Sequence, residues 1–208
     1  MSALFFCRLK EKRMAKTKTK TKLGKEMKLN GTAVWAHTDS PETYEGNEIG
    51  YSIMVRLEND EKTEALKNAL EEIFNEAEDQ LEKKVNRKVP MNLSVKEDKD
   101  LGECFKAKTK HEFKDKTTGQ LVRRKLAVFD KYGEPLPAGT KIGNGSKVQV
   151  AVTAEPYVMN AKTYGVTLRL NAVLVKDLKE YTGGGSAENY GFDIEAKGEP
   201  DETDDVEW

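Results

Sequence analysis

The sequence is poor in cysteine and histidine. Its 208 residues include two of each, Cys7 and Cys104, and His37 and His111. Two widely separated cysteines do not provide a disulfide framework, and no combination of these four positions has the spacing of zinc ligands. The sequence therefore excludes a disulfide-stapled scaffold and predicts a protein without a structural metal or other cofactor.

Long apolar runs are missing as well. The early apolar patch at residues 3–7 is too short to cross a bilayer, and no small-residue cleavage site follows an adequate apolar region. Hydrophobic residues make up 37% of the chain and charged residues 34%. We therefore expect a cytoplasmic protein without a membrane partner, in which one domain of about 150 residues buries a core.

Signatures of catalysis are also scarce. His37 and Asp39 could perform acid–base chemistry, but no nucleophile lies in a recognisable elbow or glycine-rich turn beside them. The Gly-Asn-Gly-Ser segment at 143–146 lacks the lysine and the following helix of a phosphate-binding loop. Because the scattered acids also show no paired-carboxylate pattern for two metals, we do not expect an enzyme.

What the chain does contain is an uneven distribution of charge. The totals of 35 basic and 36 acidic side chains nearly cancel, but residues 193–208 hold eight acids and one lysine. Residues 1–192 therefore keep 34 basic and 28 acidic side chains, a net charge of +6. A basic body joined to an acidic tail indicates a protein that meets an anionic polymer.

The acidic tail has two physical uses. It can occupy a cationic groove on the body when no polymer is bound, and it can engage other proteins when it is displaced; the alternative is a tail that only improves solubility. Its end carries the residues we assign to partner binding, namely Asp201, Glu202, Asp204, Asp205, Glu207 and Trp208. The glycine-rich stretch at 183–186 before it is typical of a flexible linker.

These patterns divide the chain into three parts. Residues 16–22 alternate lysine and threonine, which predicts a mobile basic arm that attracts phosphates or improves solubility. We therefore expect a flexible arm over 1–28, a folded domain over 29–181, and a linker with the acidic tail over 182–208.

Apolar periodicity predicts a mainly β domain with one helix. Asp60 is predicted to cap the helix, whose apolar residues recur at three- and four-residue spacing as far as Leu81. The predicted strands are 32–37, 51–57, 105–113, 122–129, 147–157 and 164–178, and loops are predicted at 38–47 and 130–146. Five or six strands with one helix inserted after the second favour a small closed barrel.

Period-two alternation then separates the faces of these strands. In the strand after residue 104, Phe105, Ala107 and Thr109 alternate with lysines, which predicts a cationic outer face. The later strands place alternate valines inward, and the last is expected to bury Val166, Leu168, Leu170, Ala172 and Leu174.

Cations and exposed aromatic rings together have the composition needed to hold single-stranded nucleic acid. The candidate phosphate contacts are Lys106, Lys108, Lys110, Arg123, Arg124, Lys125 and Arg169. The candidate stacking rings are Trp35, Phe113, Tyr157 and Tyr164. The alternatives are a solvated strand edge for the lysines, partial burial for Trp35, a place in the core for Phe113, and a position beside a loop for the two tyrosines.

Several segments then resemble one protein family. The sequences FKAKTK at 105–110, AVFD at 127–130, GEPL at 133–136, GSKV at 145–148 and YGVTLRLNAV at 164–173 are similar to those of phage single-stranded DNA-binding proteins of the replication-accessory type. The order of the segments carries the resemblance, which covers roughly residues 29–178 and the tail.

The resemblance implies a fold and a set of partners. It implies an oligonucleotide/oligosaccharide-binding (OB) barrel, a five- to six-stranded Greek key with one inserted α-helix and disordered termini. It also implies that the protein coats single-stranded DNA during phage replication and recombination, that its tail contacts a replicative polymerase or helicase, and that it forms a homodimer. The alternative is a protein-interaction module, a replication adaptor whose contact with nucleic acid is incidental.

Overall fold

The computed structural model describes residues 23–81, 83–99, 101–115 and 117–179. In chain order their elements are β1 (Lys25–Tyr44), β2 (Asn47–Leu57), α1 (Asp60–Ala77), β3 (Val95–Asp98), β4 (Gly102–Thr109), β5 (Glu112–Lys114), β6 (Leu121–Arg123), β7 (Ala127–Phe129), β8 (Lys147–Asn160) and β9 (Thr163–Asp177). A short 3-10 turn, Glu78–Gln80, follows the helix.

Five of the strands close into a barrel. β1 pairs with β2 and β8, β2 pairs with β4, and β8 pairs with β9, all antiparallel. β4 and β9 complete the circuit in parallel, through Ala107 opposite Leu168 and Lys108 opposite Arg169. This five-stranded Greek-key barrel is an OB fold, which confirms the predicted mainly β barrel with one inserted helix. The predicted disordered termini lie outside the described residues.

The helix forms where the sequence predicts it, one residue after its cap. The side chain of Asn59, not Asp60, accepts a hydrogen bond from the Lys62 N–H at 2.8 Å and satisfies a free donor of the first turn. Leu70 and Phe74 are fully buried on its inner face. The helix packs against β8, β9 and β2, and Lys108 on the outer side of β4 is exposed.

The first barrel strand is much longer than predicted. β1 extends from Lys25 to Tyr44 and includes part of the predicted loop at 38–47. Its residues 25–28 pair with 151–154 of β8, so the folded domain begins before the predicted boundary at 29. Residues 25–28 show no apolar alternation in the sequence, because Met27 is the one apolar residue among them.

Two predicted strands are each divided in the structure. The segment 105–113 leaves the barrel after Thr109, and 122–129 is interrupted at 124–126. The pieces outside the barrel, β5 and β6, form a two-stranded hairpin with Phe113 opposite Val122. The Arg124 N–H donates to the His111 carbonyl at 2.7 Å and fixes the base of this hairpin.

A β-bulge changes the inward face of the last strand. The pairing of β8 with β9 shifts between Ala151 and Val152, where Asn171 is the extra residue. After the bulge Val173 and Val175 are the buried residues. The prediction that Ala172 and Leu174 belong to the core is therefore wrong, because one inserted residue exchanges the two faces of a strand.

Among the described residues, no helix is both long and apolar enough to cross a membrane. They also contain no group of three or more histidine, cysteine or acidic side chains arranged to hold a metal ion.

Candidate nucleic-acid interface

Four outward-facing positions form a row across the barrel. Ser52 of β2 lies opposite Lys108 of β4, Lys108 lies opposite Arg169 of β9, and Arg169 lies opposite Thr153 of β8. Residues that lie opposite each other on neighbouring strands point to the same face, and the adjacent Leu168 is fully buried on the other face. We call these four residues the polar row; it places two cations between two hydroxyl residues that are covered by neighbouring groups, Ser52 at 3% and Thr153 at 1% exposure.

Lys106 lies two residues before Lys108 on the same face of β4 and opposite Met54 of β2. Its ammonium group is 3.7 Å from a carboxylate oxygen of Glu42, which also accepts a hydrogen bond from Ser52 at 2.9 Å. The inward positions between these residues, including Ala107, are buried. The predicted split of this strand into a cationic outer face and an apolar inner face is therefore confirmed for residues 105–109.

More cations gather where the chain leaves β4. Lys110 follows the strand directly and is exposed. The Arg124 guanidinium lies 3.5 Å from the Thr109 hydroxyl, so the basic segment 123–125 returns beside the end of β4. Lys125 is exposed there. The structure thus brings these cations together at the end of β4 that follows Lys108.

Some of the candidate cations are available and others are paired. Arg169 Nε lies 3.1 Å from Glu155, and Arg123 Nε donates to Glu112 at 2.9 Å. The contact with Glu112 raises the pKa of Arg123 further above its usual range. Among the residues that the structure describes, however, no carboxylate pairs with the three lysines Lys108, Lys110 and Lys125. These three offer charge that is not already neutralised within the folded domain.

Trp35 lies across the same face. Its indole N–H donates to Asp98 of β3 at 3.0 Å, and its backbone N–H donates to the Asn144 side chain at 2.8 Å. Since β2 and β4 lie between β1 and β3 in the sheet, this contact links the two strands that flank β2 and β4. The side chain is 59% exposed, so Trp35 is partly buried, as the alternative held, and still leaves much of its ring accessible.

The backbone of Trp35 is strained. Its φ of 48° lies in the left-handed region, at a register shift between Val34 and His37 of β1. A bulky residue rarely adopts this conformation, and such strain concentrates at functional positions. The hydrogen bonds that Trp35 donates to Asn144 and Asp98 hold a large exposed ring in place there.

Phe113 is exposed on the β5–β6 hairpin. It is 46% accessible and lies beside the exposed Val122 on one face of the hairpin. The connecting turn is held by Asp115, whose carboxylate accepts backbone hydrogen bonds from Thr117 and Thr118. These bonds lower the pKa of Asp115. The hairpin therefore presents an apolar surface next to the cations at the end of β4.

The two tyrosine candidates have different outcomes. Tyr157 is half-buried on the outer side of β8, but it lies opposite Gly165 and outside the polar row. Tyr164 is 3% exposed, and its hydroxyl donates to the Val89 carbonyl at 2.6 Å. The expectation of an exposed ring at Tyr164 is therefore wrong. Its inward position on β9 places it against Phe74 of α1, with ring centroids 5.4 Å apart.

Several residues of this face were not predicted. Met54 alternates with the buried Ile53 and Val55, and period two counted from it places Ser52 on the same outer side, although Ser52 is 3% exposed. Glu42 had no such signal, because it lies in the segment predicted to be a loop. Two exposed aromatic residues were also missed: Tyr44 near the β1–β2 turn and Tyr132 in the loop after β7.

Titratable groups lie beneath and beside this surface. Burial raises the pKa of Tyr51, and the nearby carboxylates of Glu48 and Asp39 add to the increase. His111 contacts two of these residues: its Nε2 is 3.0 Å from a carboxylate oxygen of Glu48, and its ring lies edge-on to the Tyr51 ring with centroids 5.8 Å apart. The His111–Glu48 contact joins the β1–β2 hairpin to the start of the β5–β6 hairpin. The two hairpins thus lie side by side at one border of the face.

The location of these residues within the fold is informative. β2 and β4 are the second and third strands of the barrel, and the face of these two strands is where OB folds bind oligonucleotides and oligosaccharides. Lys106, Lys108 and Trp35 all lie on this face, and Arg169 extends it onto β9. We call the outward side chains of these three strands, together with Trp35, the outer β2–β4–β9 face.

Comparison with known proteins gives one curated relative. The single-stranded DNA-binding protein of Enterobacteria phage T3 is 35% identical over 85 residues, which span 40% of this chain and 37% of that protein. The match thus covers little more than a third of the relative's length. No protein-family model matches the chain.

Solved structures give longer matches. The crystal structure of gp2.5, a single-stranded DNA-binding protein encoded by bacteriophage T7, aligns with a TM-score of 0.57 and 23% identity, over 85% of this chain and 98% of that one. The single-stranded DNA-binding protein of bacteriophage Enc34, in complex with single-stranded DNA, aligns with a TM-score of 0.50 and 20% identity, over 79% and 96%. These comparisons confirm the OB fold and the resemblance to phage single-stranded DNA-binding proteins.

Proposed function

We propose that the protein is a sequence-tolerant single-stranded DNA-binding protein whose outer β2–β4–β9 face holds the strand. The observation that carries this proposal is the polar row, which aligns Lys108 and Arg169 across the barrel beside the exposed ring of Trp35. The similarity to DNA-binding proteins of phages T3, T7 and Enc34 supports it.

The cations bind the phosphates of the strand. Lys106 and Lys108 repeat every second residue along β4 and are therefore about 7 Å apart, and Lys110 continues beyond the end of the strand. Arg124, Lys125 and Arg169 widen this positive surface on both sides. Phosphate contacts carry no base information, so they hold any sequence equally well.

Exposed rings supply the second part of the binding energy. Trp35 at one side of the face and Phe113 on the β5–β6 hairpin have faces that bases can stack on. Stacking contributes about 1 to 3 kcal/mol per base and tolerates every base, because each has a π-face. The two kinds of contact together favour an unpaired strand, whose bases are free to turn toward the protein.

The biological role follows from this chemistry. The protein coats and protects single-stranded DNA during phage replication and recombination in the host cytoplasm, a role that requires no catalytic step. The acidic tail at 193–208, which lies outside the described residues, competes with DNA and recruits a replicative polymerase or helicase. The protein acts as a homodimer in this proposal.

A salt titration tests the proposal. If the face makes about four phosphate contacts, the logarithm of the affinity for labelled oligo-dT falls with the logarithm of salt concentration with a slope near −2.8, about 0.7 for each contact. Parallel measurements with duplex DNA and RNA establish the preference for single-stranded DNA. Binding that does not respond to salt, or an adaptor-like protein that captures replication enzymes without oligonucleotide affinity, would contradict the proposal.

A further inference from the structure

One carboxylate lies on the cationic face itself. Glu42 reaches from β1 over β2, where its Oε2 accepts the Ser52 hydroxyl at 2.9 Å and lies 3.7 Å from the Lys106 ammonium group. Ser52 is the first residue of the polar row, and Lys106 is its neighbour on β4. The negative charge of Glu42 is therefore held between two groups that the proposed function assigns to a DNA strand.

The backbone explains how Glu42 comes to lie there. β1 pairs with β2 at His37 opposite Ser52 and again at Glu42 opposite Gly50. Between these two pairs β1 has four residues, 38–41, where β2 has the single residue Tyr51. This bulge returns the chain to β2 with Glu42 beside the outer surface. Gly50 has no side chain to compete for that space, and a Cβ atom there would lie 2.1 Å from the Thr109 carbonyl oxygen.

A carboxylate and a phosphodiester have the same hydrogen-bonding requirements. Both present negatively charged oxygens that accept bonds from a hydroxyl group and from an ammonium group, and such charge-assisted bonds are stronger than neutral ones. Ser52 and Lys106 already hold an anionic oxygen in the folded protein. The same pair of donors has the chemistry to hold a non-bridging oxygen of a nucleic-acid phosphate.

We propose that Ser52 and Lys106 form a phosphodiester-binding subsite that the Glu42 carboxylate occupies in the unbound protein, so that an incoming strand must displace Glu42. This inference rests on the proposed function and deepens it. The Glu42 backbone stays paired with Gly50 of β2, so displacement requires only that its partly exposed side chain rotate away.

Displacement has a measurable consequence for affinity. Lys106 gains a phosphate but loses Glu42, whereas the unpaired Lys108 gains a phosphate without losing a partner. Glu42 therefore lowers the affinity for DNA. It also weakens the salt dependence, because the displaced carboxylate attracts a cation from solution and so offsets one of the cations that the DNA releases on binding. A strand held in this way is also easier to exchange.

Removing the charge of Glu42 tests the subsite. Glu42→Gln is expected to bind oligo-dT about three- to five-fold more tightly than wild type, the size expected when an exposed ion pair no longer has to be broken. Its salt slope is expected to steepen by up to about 0.7. Glu42→Ala is measured as well, so that one poorly folded variant does not decide the question.

Glu78→Gln is the matched control. Glu78 forms an ion pair with Arg87 at the end of α1, so its replacement changes the net charge by the same amount on another part of the molecule. The inference predicts wild-type affinity for this variant. An equal increase for Glu42→Gln and Glu78→Gln would show a general charge effect and would overturn the subsite.

A second substitution links Glu42 to Ser52. Ser52→Ala is expected to weaken oligo-dT binding more in the Glu42→Gln background than in wild type, because in wild type the hydroxyl exchanges one anionic partner for another. Equal losses in both backgrounds would overturn the inference.

The outcomes separate the two proposals. If wild type binds oligo-dT with a salt-dependent affinity but Glu42→Gln and Glu42→Ala bind no more tightly, the subsite is wrong and the proposed function stands. If neither wild type nor any variant binds, the proposed function fails and the subsite fails with it.

Discussion

The cations on the helix side of the barrel differ from those on the outer β2–β4–β9 face. On the helix side Lys62 pairs with Glu58, Arg87 pairs with Glu78, and Lys67 contacts Glu64 and Glu103. On the outer β2–β4–β9 face and at the adjoining end of β4, by contrast, Lys108, Lys110 and Lys125 form no ion pair with any described residue.

The aromatic residues follow the same division. Phe74 and Tyr164, where α1 meets the barrel, are buried against each other. Trp35 and Phe113, on the other side, are exposed. Each side thus uses the same residue types for a different purpose. On the helix side the cations Lys62, Lys67 and Arg87 are paired and the two rings are buried, whereas the opposite side leaves several cations and rings available to a ligand.

The difference shows why a count of charges is a poor guide to binding. The chain has a net charge of −1 and its helix is rich in acids, yet a cationic surface exists because Lys108, Lys110 and Lys125 have no carboxylate partner in the described part of the chain. A lysine that already holds a carboxylate gains little from a phosphate. Lys106, Arg123 and Arg169 are intermediate cases, because each is a candidate phosphate contact and also has a carboxylate neighbour.

The largest expected effect comes from the exposed ring. Replacing Trp35 with glycine removes a stacking surface, and we expect oligo-dT affinity to fall by the equivalent of about 1 to 3 kcal/mol. The melting temperature is expected to change little, because glycine adopts the left-handed φ of this position without strain. Fluorescence anisotropy and thermal melting measure the two quantities.

Trp35→Phe is the graded control. It keeps an aromatic ring but loses the indole N–H that donates to Asp98, so we expect it to retain most of the affinity. A large loss of stability in Trp35→Gly, with affinity unchanged, would show that the ring serves the fold and would contradict the contrast between the two sides.

The next effect compares lysines from the two sides directly. Lys108→Gln with Lys110→Gln removes two available charges, and we expect about a five- to ten-fold loss of affinity and a salt slope reduced by about 1.4. Lys62→Gln with Lys67→Gln removes two charges that carboxylates already neutralise. Because the second variant carries the same change in net charge, equal losses of affinity would break the comparison.

Much of the fold could be predicted because its signals are local. The apolar spacing of α1 and the alternation of β4 and β8 depend on neighbours in sequence, and both patterns gave the correct buried residues. Lys106, Lys108 and Arg169 were assigned outward for the same reason. The barrel closes where β4 pairs with β9, between residues about 60 positions apart in the chain, yet the order of elements was enough to indicate a barrel.

The errors arose where a long-range contact decides the local structure. The bulge at Asn171 exchanges the faces of β9, and its position depends on pairing with β8. The burial of Tyr164 depends on a helix about 90 residues earlier in the chain. Glu42 reaches the interface through a bulge that no periodicity reveals. Alternation identifies the two faces of a strand, but only the packed neighbours determine which face is covered.

The smallest expected effect on binding belongs to Tyr164, which sequence reasoning placed among the stacking rings. Tyr164→Phe removes the hydroxyl that donates to the Val89 carbonyl and lies 3.3 Å from the Asn86 carbonyl. We expect a loss of about 0.5 to 1.5 kcal/mol in the free energy of unfolding and unchanged affinity for oligo-dT, measured by urea denaturation and by anisotropy. The ring itself remains in place against Phe74, so only the hydrogen bond is tested. A variant with normal stability and weakened binding would return Tyr164 to the interface, and the division between a satisfied side and an available side would then fail at this residue.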